Sequence, residues 1–400
     1  MVSFQKAREL VLAQARSFGT ETVSLEEAFG RVLAEPAFAD RDYPPFPRAT
    51  MDGYALRMAD LHDGMRSFRI VETLFAGASA TRRIAGGECY KIMTGAPVPA
   101  DADLVIRRED VTESEESMAV IDKAPEPWRP YLNIARQGED IRKGNVILGR
   151  PCRCGPAVIG MLASLGHASP AVARLPKIAV VTTGDEVVEP GNPVGAAQIR
   201  NSNRWMLEAA LREEGIVPRS RVHVRDDPQQ LKKVIGGVLP ADVLIVTGGV
   251  SAGDADHVPG VLEELGSRQL FHKISMRPGK PGYCGLLPDG GIVFALPGNP
   301  FSCLVHFVLL IAPYLQACWG LTPSLPVGIA LAAGRQKRTP LDEFFPVLVE
   351  GSPAAATLVT LNGSGDIRLG LGANALALHP STAGDIPAGS LIDCFALRHS

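Results

Sequence analysis

A chain of 400 residues is too long for one ordinary hydrophobic core, so two to four domains are expected. Its formal net charge of −3 argues against nucleic-acid binding through bulk positive charge. Seven scattered cysteines argue against a disulfide framework, and Cys152 and Cys154 lack the second pair that a structural zinc site needs. Residues 1–6 lack a signal-peptide pattern, and the apolar run around Pro313 is too short to span a bilayer, so we expect a soluble cytoplasmic protein.

The first part of the chain mixes short helices with short strands. An amphipathic spacing predicts a helix over residues 3–15, and residues 24–27 form a capping box at the start of a second helix. The proline-rich segment 43–47 can be neither a helix nor a central strand, which makes it a candidate hinge. Apolar runs separated by Pro and Gly then predict a small β domain. Its predicted strands are residues 68–74, 89–93, 102–106 and 119–121.

From residue 177 onward, strands alternate with helices. The predicted strands are residues 177–181, 221–224, 243–246 and 292–295, and the predicted helices are residues 204–214, 229–234, 258–265 and 301–315. Strand, polar loop and helix, repeated four times, predict a doubly wound α/β domain whose parallel sheet carries the loops at its carboxyl edge. Beyond Trp319, short strands between Pro and Gly turns predict a small C-terminal β domain.

The stretch over residues 242–256 is the centre of the functional hypothesis. A short apolar run ends at Thr247 and is followed by Gly248 and Gly249. Glycine lets a backbone pass close to a ligand and point successive N–H groups at an anion. Ser251 adds a hydroxyl, and the carboxylates over residues 254–256 could hold a metal beside a phosphate. Taken alone, the Thr-Gly-Gly sequence is explained better by a structural tight turn.

Carboxylates follow three of the predicted strands, at Glu186, Asp226 and Asp256. Three acids at one edge of a sheet would repel one another unless a cation lies between them. Magnesium bridging a phosphate is the simplest explanation. Helix N-capping by each acid is the alternative, and it explains any one of them well but the set poorly.

A basic segment supplies the opposite charge. Lys273, Arg277 and Lys280 lie within eight residues, around a turn at Pro278 and Gly279. Such a cluster suits a multiply charged anion or a phosphate ester, although Lys280 alone would be explained by a solvated surface. The three histidines His257, His272 and His306 lack partners at metal-ligand spacing and are interpreted as structural. Nucleophile-elbow, GxGxxG and P-loop motifs are missing from the sequence, which disfavours hydrolase, dehydrogenase and P-loop functions.

Together these residues resemble the molybdopterin molybdenumtransferase family, which includes MoeA and the gephyrin E domain. The matching motifs are residues 50–55 (TMDGYA), 91–99 (KIMTGAPVP), 138–141 (GEDI), 183–186 (TGDE), 199–203 (IRNSN), 247–251 (TGGVS), 276–281 (MRPGKP) and 296–300 (LPGNP). Each motif is weak alone, whereas the ordered set is highly specific.

The resemblance implies a multidomain protein of α/β and β type with four domains. These are a discontinuous linker domain (1–44 and 140–172), a β lid domain (45–139), a MogA-like molybdopterin-binding α/β domain (173–320) and a C-terminal β barrel (321–400). It also implies an elongated homodimer, whose active site lies between the α/β domain of one subunit and the lid side of the other. Other molybdenum cofactor biosynthesis proteins or acceptor proteins are candidate partners, whereas nucleic acid and membrane are not.

The resemblance further implies a reaction. Adenylylated molybdopterin binds, its pyrophosphate bond is hydrolysed with Mg²⁺ and molybdate, AMP leaves, and molybdenum enters the dithiolene. The residues carried over as catalytic are Asp52, Thr94, Asp140, Glu186, Asp226, Asp256, Lys273 and Arg277. Those expected to bind the pterin nucleotide are Thr183, Gly184, Asp185, Gly248, Gly249, Ser251, Lys280, Pro297, Gly298 and Asn299. The carboxylates Glu186, Asp226 and Asp256 would hold the metal, and Lys273 and Arg277 would offset negative charge in the transition state.

The sequence departs from the family pattern in places that bear on molybdate. Ala135 stands where the family commonly has Arg, and Arg277 where Lys is often found. Residues 340–346 (PLDEFFP) replace a Gly-Arg-x-Glu-Phe-x-Arg pattern and lack its arginines, and a family Ser-Ser falls near residues 366–367. A second hypothesis is therefore a divergent paralogue that binds molybdopterin or its nucleotide without efficient metal insertion. A third is a nucleotide pyrophosphate hydrolase with another substrate.

Overall fold

The computed structural model describes residues 1–114, 117–123, 128–250 and 257–397. The chain forms two compact units. The large unit consists of Met1–Ala34, Arg150–Gly155 and Ser169–Ser400, and the small unit consists of Glu35–Gly149 and Pro156–Ala168. The residues of the predicted linker domain divide between the two units, and the four-domain boundaries remain a prediction.

A six-stranded sheet forms the centre of the large unit. Its strands, in spatial order, are Ser220–Val224, Ile178–Thr183, Val243–Thr247, Ile292–Leu296, Tyr283–Leu286 and Arg268–His272. The first four strands are mutually parallel, which confirms the doubly wound part of the prediction. Tyr283–Leu286 runs antiparallel to both of its neighbours, so the sheet is mixed, and Arg268–His272 again has the direction of the first four strands.

The parallel strands are apolar because both faces of the sheet are covered. Every residue of Ile178–Thr183 and Val243–Thr247 is buried. Successive residues alternate between two cores, as the period of a strand requires. Ile178 and Val180 pack in the first core, with the helices that precede and follow the sheet in the chain, whereas Ala179 and Val181 pack in the second. These two cores hold the loops at the carboxyl edge in place.

Local capping sets where the helices begin. Asn201 accepts a hydrogen bond from the backbone of Arg204, and Asp227 accepts one from Gln230 ahead of Pro228 in the first turn. The predicted capping box at Ser24 is confirmed. The helices of the large unit are Phe4–Leu12, Leu25–Ala28, Ser202–Glu213, Pro228–Val238, Val258–Glu264, Pro300–His306 and Ala312–Cys318, with a π-helical turn at Phe307–Ile311 between the last two.

The helical run Pro300–Cys318 is continuous, although Pro313 lies within it. Proline lacks an N–H and crowds the preceding turn, and the π-helical turn at Phe307–Ile311 lies immediately before it. This run of 19 residues is apolar enough by composition to cross a membrane, but 78% of its most apolar window is buried inside the protein. It is therefore best explained as a core helix.

A closed five-stranded barrel forms the C-terminal part of the large unit. Its strands, in order, are Asp342–Glu350, Ala355–Leu358, Val327–Leu331, Leu391–Ala396 and Ala375–His379, and the last pairs with the first. The short strand Met276–Arg277 pairs in parallel with the start of Asp342–Glu350 and so joins the basic segment to the barrel. Smaller sheets combine Thr20–Thr22, Ala171–Ala173, Val32–Leu33 and Cys152–Arg153, and Val187–Val188 with Ile199–Arg200.

The small unit is built on a six-stranded sheet, as the predicted β domain required. Its strands, in order, are Leu104–Arg107, Gly53–Leu56, Glu88–Ile92, Ser67–Leu74, Met118–Ile121 and Val111–Glu113. Two-stranded pairs join Ile134–Ala135 to Arg48–Ala49 and Val146–Leu148 to Ala37–Phe38, and the helices are Met58–His62 and Pro156–Ser164, with a 3-10 turn at Arg108–Asp110.

Candidate functional site

The four parallel strands of the large unit end at the same edge of the sheet. Val224 lies opposite Thr183, Thr182 opposite Thr247, and Thr247 opposite Leu296. The loops that follow these strands therefore leave the sheet side by side. The carboxyl edge of an open α/β sheet is where such folds usually bind ligands. Most of the predicted pterin-nucleotide residues belong to these loops.

Thr183, Asp185 and Asp226 are brought together at this edge. The Thr183 hydroxyl donates to Oδ1 of Asp226 at 2.5 Å, and the backbone N–H of Asp226 donates to Oδ1 of Asp185 at 3.4 Å. The carboxylate of Glu186 folds over Gly184, where a Cβ would lie 2.7 Å from Oε2. Gly184 also has a positive φ of 144°, so the turn that aims Glu186 requires glycine.

Gly248 lies close to the backbone of two neighbouring strands. Its N–H donates to the carbonyl of Leu296 at 3.0 Å, and a Cβ at this position would lie 2.5 Å from the carbonyl oxygen of Thr183. Gly248 and Gly249 both have positive φ, as the predicted glycine-rich loop requires.

The predicted metal set can be assessed only in part. Ser251 and Asp256 lie outside the described residues, whereas Glu186 and Asp226 follow neighbouring strands. Within the described parts of the chain, no group of three or more His, Cys, Asp or Glu side chains is arranged to hold a metal ion. Glu186 and Asp226 as magnesium ligands therefore remain a prediction.

Asn203 is a site residue that sequence reasoning did not single out. Its Nδ2 donates to the carbonyl of Gly298 at 2.7 Å, so it positions the turn at Pro297, Gly298 and Asn299. Its Oδ1 is buried and accepts no hydrogen bond from the described residues. A buried acceptor without a partner is costly unless a ligand or water satisfies it. The sequence does contain a signal for this residue, because Asn203 is the last residue of the motif at residues 199–203.

A cavity of about 470 Å³ lies beside the basic segment. It is bounded by that segment, by the turn at Pro297 and Asn299, and by the barrel. Its charged lining consists of Arg277, Lys280, Arg335, Arg338 and Glu343. The volume is in the range of pockets that bind small organic ligands. The excess of positive charge suits a ligand with an anionic part.

The positive charges of this cavity are not equivalent. Arg335 forms a 2.6 Å ion pair with Glu343, donates to Nδ1 of His379 at 2.5 Å, and lies 4.1 Å from the ring centre of Phe345. Burial raises the pKa of Glu343, but the contacts with Arg335 and Thr339 outweigh burial and leave that pKa below its ordinary value. The positive charge of Arg335 is thus balanced by Glu343 inside the protein.

Arg277, Lys280 and Arg338 form no ion pair with any residue in the described ranges. All three side chains are exposed and line the same cavity. These are the charges left available to an anion.

The acidic and basic groups are separated along the sheet edge. Between the strand that ends at Thr183 and the strand that ends at His272 lie four strand spacings. At about 4.8 Å each, this places the two strand ends roughly 19 Å apart. Lys273 follows the second of these strands, with a positive φ of 69°, and its N–H donates to the carbonyl of Gly282 at 2.8 Å. A single small ion cannot contact both ends, whereas an elongated ligand can.

In the small unit, Asp52 and Thr94 are in direct contact. Both the N–H and the hydroxyl of Thr94 donate to Oδ1 of Asp52, at 2.8 and 2.7 Å. The backbone bond, then the hydroxyl bond, hold the pKa of Asp52 below its ordinary value. Asp140 is exposed, and its N–H donates to the carbonyl of Tyr43 at 3.0 Å. Both carboxylates are thus presented to solvent on this unit.

Comparison with known proteins decides the family. Residues 2–166 match the model of the MoeA N-terminal region (domains I and II), and residues 179–317 match the probable molybdopterin-binding domain. The molybdopterin molybdenumtransferase of Bacillus subtilis strain 168 is 33% identical over 389 residues, 95% of this chain and 90% of that protein. The chain belongs to the molybdopterin molybdenumtransferase family.

Other relatives agree with this assignment. The molybdopterin molybdenumtransferase of Synechocystis is 31% identical over 99% of both chains. A crystal structure of a molybdopterin biosynthesis MoeA protein from Pyrococcus horikoshii matches with a TM-score of 0.82 and 32% identity, over 99% of both chains. As a molybdopterin molybdenumtransferase, the chain is a transferase of molybdenum cofactor biosynthesis, with a MogA-like α/β domain and a C-terminal barrel.

Two positions at which the resemblance predicts arginine lie at the barrel. They are Leu341 and Pro346, and both line the 470 Å³ cavity. Arg335 and Arg338 line the same cavity from the segment just before the strand Asp342–Glu350. Because Arg335 is paired with Glu343, it is Arg338 that brings positive charge without an ion-pair partner among the described residues to the barrel side of the cavity.

Ala135, the third such position, lies in the small unit. It is buried in the short strand Ile134–Ala135, and the guanidinium of the next residue, Arg136, lies 4.4 Å from the ring centre of Tyr131. Arg136 is therefore occupied with an aromatic side chain of its own unit.

Proposed function

We propose that the protein inserts molybdenum into adenylylated molybdopterin, with magnesium-dependent hydrolysis of the pyrophosphate bond and release of AMP, to give molybdenum cofactor. The supporting observation is that acidic and basic groups lie at different parts of the sheet edge. Acidic loops follow the strands that end at Val224 and Thr183, and a cavity lined by exposed cations lies at the basic segment. A pterin joined to a nucleotide by a diphosphate is an elongated substrate, and its length suits a site of this kind.

The oxygen atoms at the acidic end are of the kind that magnesium binds. Magnesium prefers carboxylate and phosphate oxygens, and Glu186 and Asp226 offer carboxylates on adjacent loops, with Asp256 as the proposed third ligand. Bound there, magnesium would polarise the phosphate oxygens of the substrate. The protein's own contribution is to hold these carboxylates: Thr183 fixes Asp226, which can then orient the attacking water.

The basic end suits the oxyanions of the reaction. Arg277, Lys280 and Arg338 line the cavity and form no ion pair with another described residue, so they can offset the charge of molybdate or of a phosphate group. Lys273, at the end of its strand, is proposed to do the same for the diphosphate. We also propose that Asp52, Thr94 and Asp140 act from the lid of a second subunit in a homodimer, and that the protein is cytoplasmic.

One assay tests the proposal. Purified protein receives adenylylated molybdopterin, magnesium and molybdate, and both AMP and metallated cofactor are followed. We expect the two products in equal amounts, and neither without magnesium. Release of AMP without metallated cofactor would support the nucleotide pyrophosphate hydrolase instead.

The divergent paralogue remains the second candidate, because Ala135, Leu341 and Pro346 replace family arginines. A divergent paralogue is expected to bind the pterin nucleotide but to form neither AMP nor metallated cofactor. The positive charge that Arg338 brings to the cavity favours insertion over this alternative.

A further inference from the structure

His306 lies beneath the turn that carries the basic side chains. It is the last residue of the helix Pro300–His306, and its side chain is buried. Its Nε2 lies 2.8 Å from the carbonyl oxygen of Gly279. Because a carbonyl can only accept, Nε2 carries the hydrogen. Burial also lowers the pKa of His306 to about 4, so the ring is neutral at physiological pH.

Two glycines of the turn make room for this ring. A Cβ at Gly279 would lie 2.7 Å from Nε2 of His306, and a Cβ at Gly282 would lie 2.3 Å from its Cε1. Real Cβ atoms do not approach other atoms so closely, so a side chain at either position would displace the ring or the turn. The imidazole is thus packed against the turn as well as hydrogen-bonded to it.

The turn itself is fixed at both ends by backbone contacts. The N–H of Ile274 donates to the carbonyl of Lys280 at 2.9 Å, and that of Lys273 to Gly282 at 2.8 Å. Met276 and Arg277 pair with the barrel strand at Asp342–Glu343. The bond from His306 to Gly279 fixes the peptide between Arg277 and Lys280, the two residues of the turn whose charged side chains line the cavity.

We propose that His306 is a positioning residue for oxyanion binding: by holding the Gly279 peptide, it sets Arg277 and Lys280 at the spacing that the anion requires. The proposal rests on the proposed function for the identity of that anion, molybdate. The imidazole reaches the Gly279 carbonyl at 2.8 Å and holds it with one buried donor.

The test measures binding of inorganic molybdate to the full-length protein by calorimetry, without any pterin. His306→Leu removes the donor and keeps an apolar side chain of moderate size, whereas His306→Gln can return an N–H donor. We expect His306→Leu to weaken molybdate binding about three- to tenfold, the range of one lost hydrogen bond, and His306→Gln to recover most of the loss. Tyr314→Phe, buried on the same helical run, is the matched control and should bind molybdate as the parent does.

A double-mutant cycle separates positioning from a general structural role. If His306 acts through the cations, His306→Leu should add little to the loss caused by Arg277→Ala plus Lys280→Ala. A similar loss in both backgrounds would overturn the proposal, as would a variant with a lowered melting temperature but unchanged molybdate affinity.

If His306→Leu does not fold, Gly279→Ala provides the second measurement. It keeps the histidine, but its Cβ would push the ring and the Gly279 peptide apart, and it should weaken molybdate binding to a similar extent; unchanged binding would refute the proposal. Molybdate binding requires no turnover. A failure of cofactor synthesis with normal molybdate binding would therefore count against the proposed function and not against the role of His306.

Discussion

The hydroxyl of Thr183 donates to Oδ1 of Asp226 at 2.5 Å, so a side chain at the end of one parallel strand holds the carboxylate that follows its neighbour. Hydrogen bonds to a charged acceptor are stronger than those between neutral groups. The bond also removes one of the orientations that Asp226 could adopt. The position of this acid relative to the Glu186 loop is therefore built into the strand pairing and does not depend on a bound metal.

Replacing Thr183 by Val should slow the reaction more than it destabilises the protein. Valine preserves the shape of the side chain but removes the donor, so Asp226 loses its fixed orientation. We expect AMP release to fall about ten- to hundredfold, which corresponds to one hydrogen bond to a charged group. The dependence of the rate on magnesium concentration should shift to higher magnesium.

The matched control for Thr183→Val is Thr182→Val on the same strand. The Thr182 hydroxyl contacts His223 and Asn201, and it contacts none of the edge carboxylates that the structure describes. Thr182→Val should cost about 1 kcal/mol of stability and leave the rate of AMP release within about threefold of the parent. Equal rate losses in both variants would show that the contact with Asp226 has no special role.

Gly248→Ala should disturb both stability and binding. The added Cβ would meet the Thr183 carbonyl oxygen at 2.5 Å, and φ at this residue is +93°, which disfavours alanine. We expect a loss of about 1–3 kcal/mol in the free energy of unfolding, measured in urea. Gly298→Ala is the control: no atom of the described residues lies within 4 Å of the added Cβ, and stability should change by less than about 0.5 kcal/mol.

The sequence predicts the parallel strands well, because local composition alone determines them. The run over residues 243–246 becomes the strand Val243–Thr247, and residues 292–295 become Ile292–Leu296. Both are apolar because both faces of the sheet are covered. The antiparallel strand Arg268–His272 was missed, since its polar residues gave no such signal.

Features that depend on distant contacts could not be predicted from the sequence. Gly53 is the first residue of the strand Gly53–Leu56. A Cβ there would lie 1.9 Å from the carbonyl oxygen of Ile106 on the neighbouring strand, which explains the glycine. Arg338 was missed for a related reason: only the closure of the barrel brings it to the cavity that Lys280 lines.

Stability of the large unit should fall in acid because of His306. Its pKa is lowered from 6.5 to about 4 by burial, so between these values the unfolded chain binds a proton that the folded protein does not. The stabilisation is fully present above pH 6.5 and is lost progressively as the pH falls to about 4. The loss amounts to about 3 kcal/mol. Urea unfolding at pH 7 and pH 4.5 should show a smaller pH dependence for His306→Gln, and an unchanged dependence would place the titrating proton elsewhere.

Arg335 and Arg338 line the same cavity, but their surroundings predict opposite consequences of substitution. The side chain of Arg335 is 11% exposed and that of its partner Glu343 is 3% exposed, so removing Arg335 leaves a buried carboxylate without its cation. Breaking such a pair typically costs about 3–5 kcal/mol. Arg338 is exposed and has no ion-pair partner within the described residues, so its charge is available to a ligand.

Arg338→Ala should therefore weaken molybdate binding and leave stability unchanged, whereas Arg335→Ala should unfold at a markedly lower temperature. For Arg338→Ala we expect about a tenfold weaker affinity, consistent with the loss of one charge-assisted hydrogen bond, measured by calorimetry at low salt. The double variant Arg335→Met with Glu343→Gln should recover much of the stability lost by Arg335→Ala, because neither buried charge remains. Normal molybdate affinity in Arg338→Ala would mean that Arg338 does not replace the missing family arginines, and the divergent-paralogue hypothesis would then gain support.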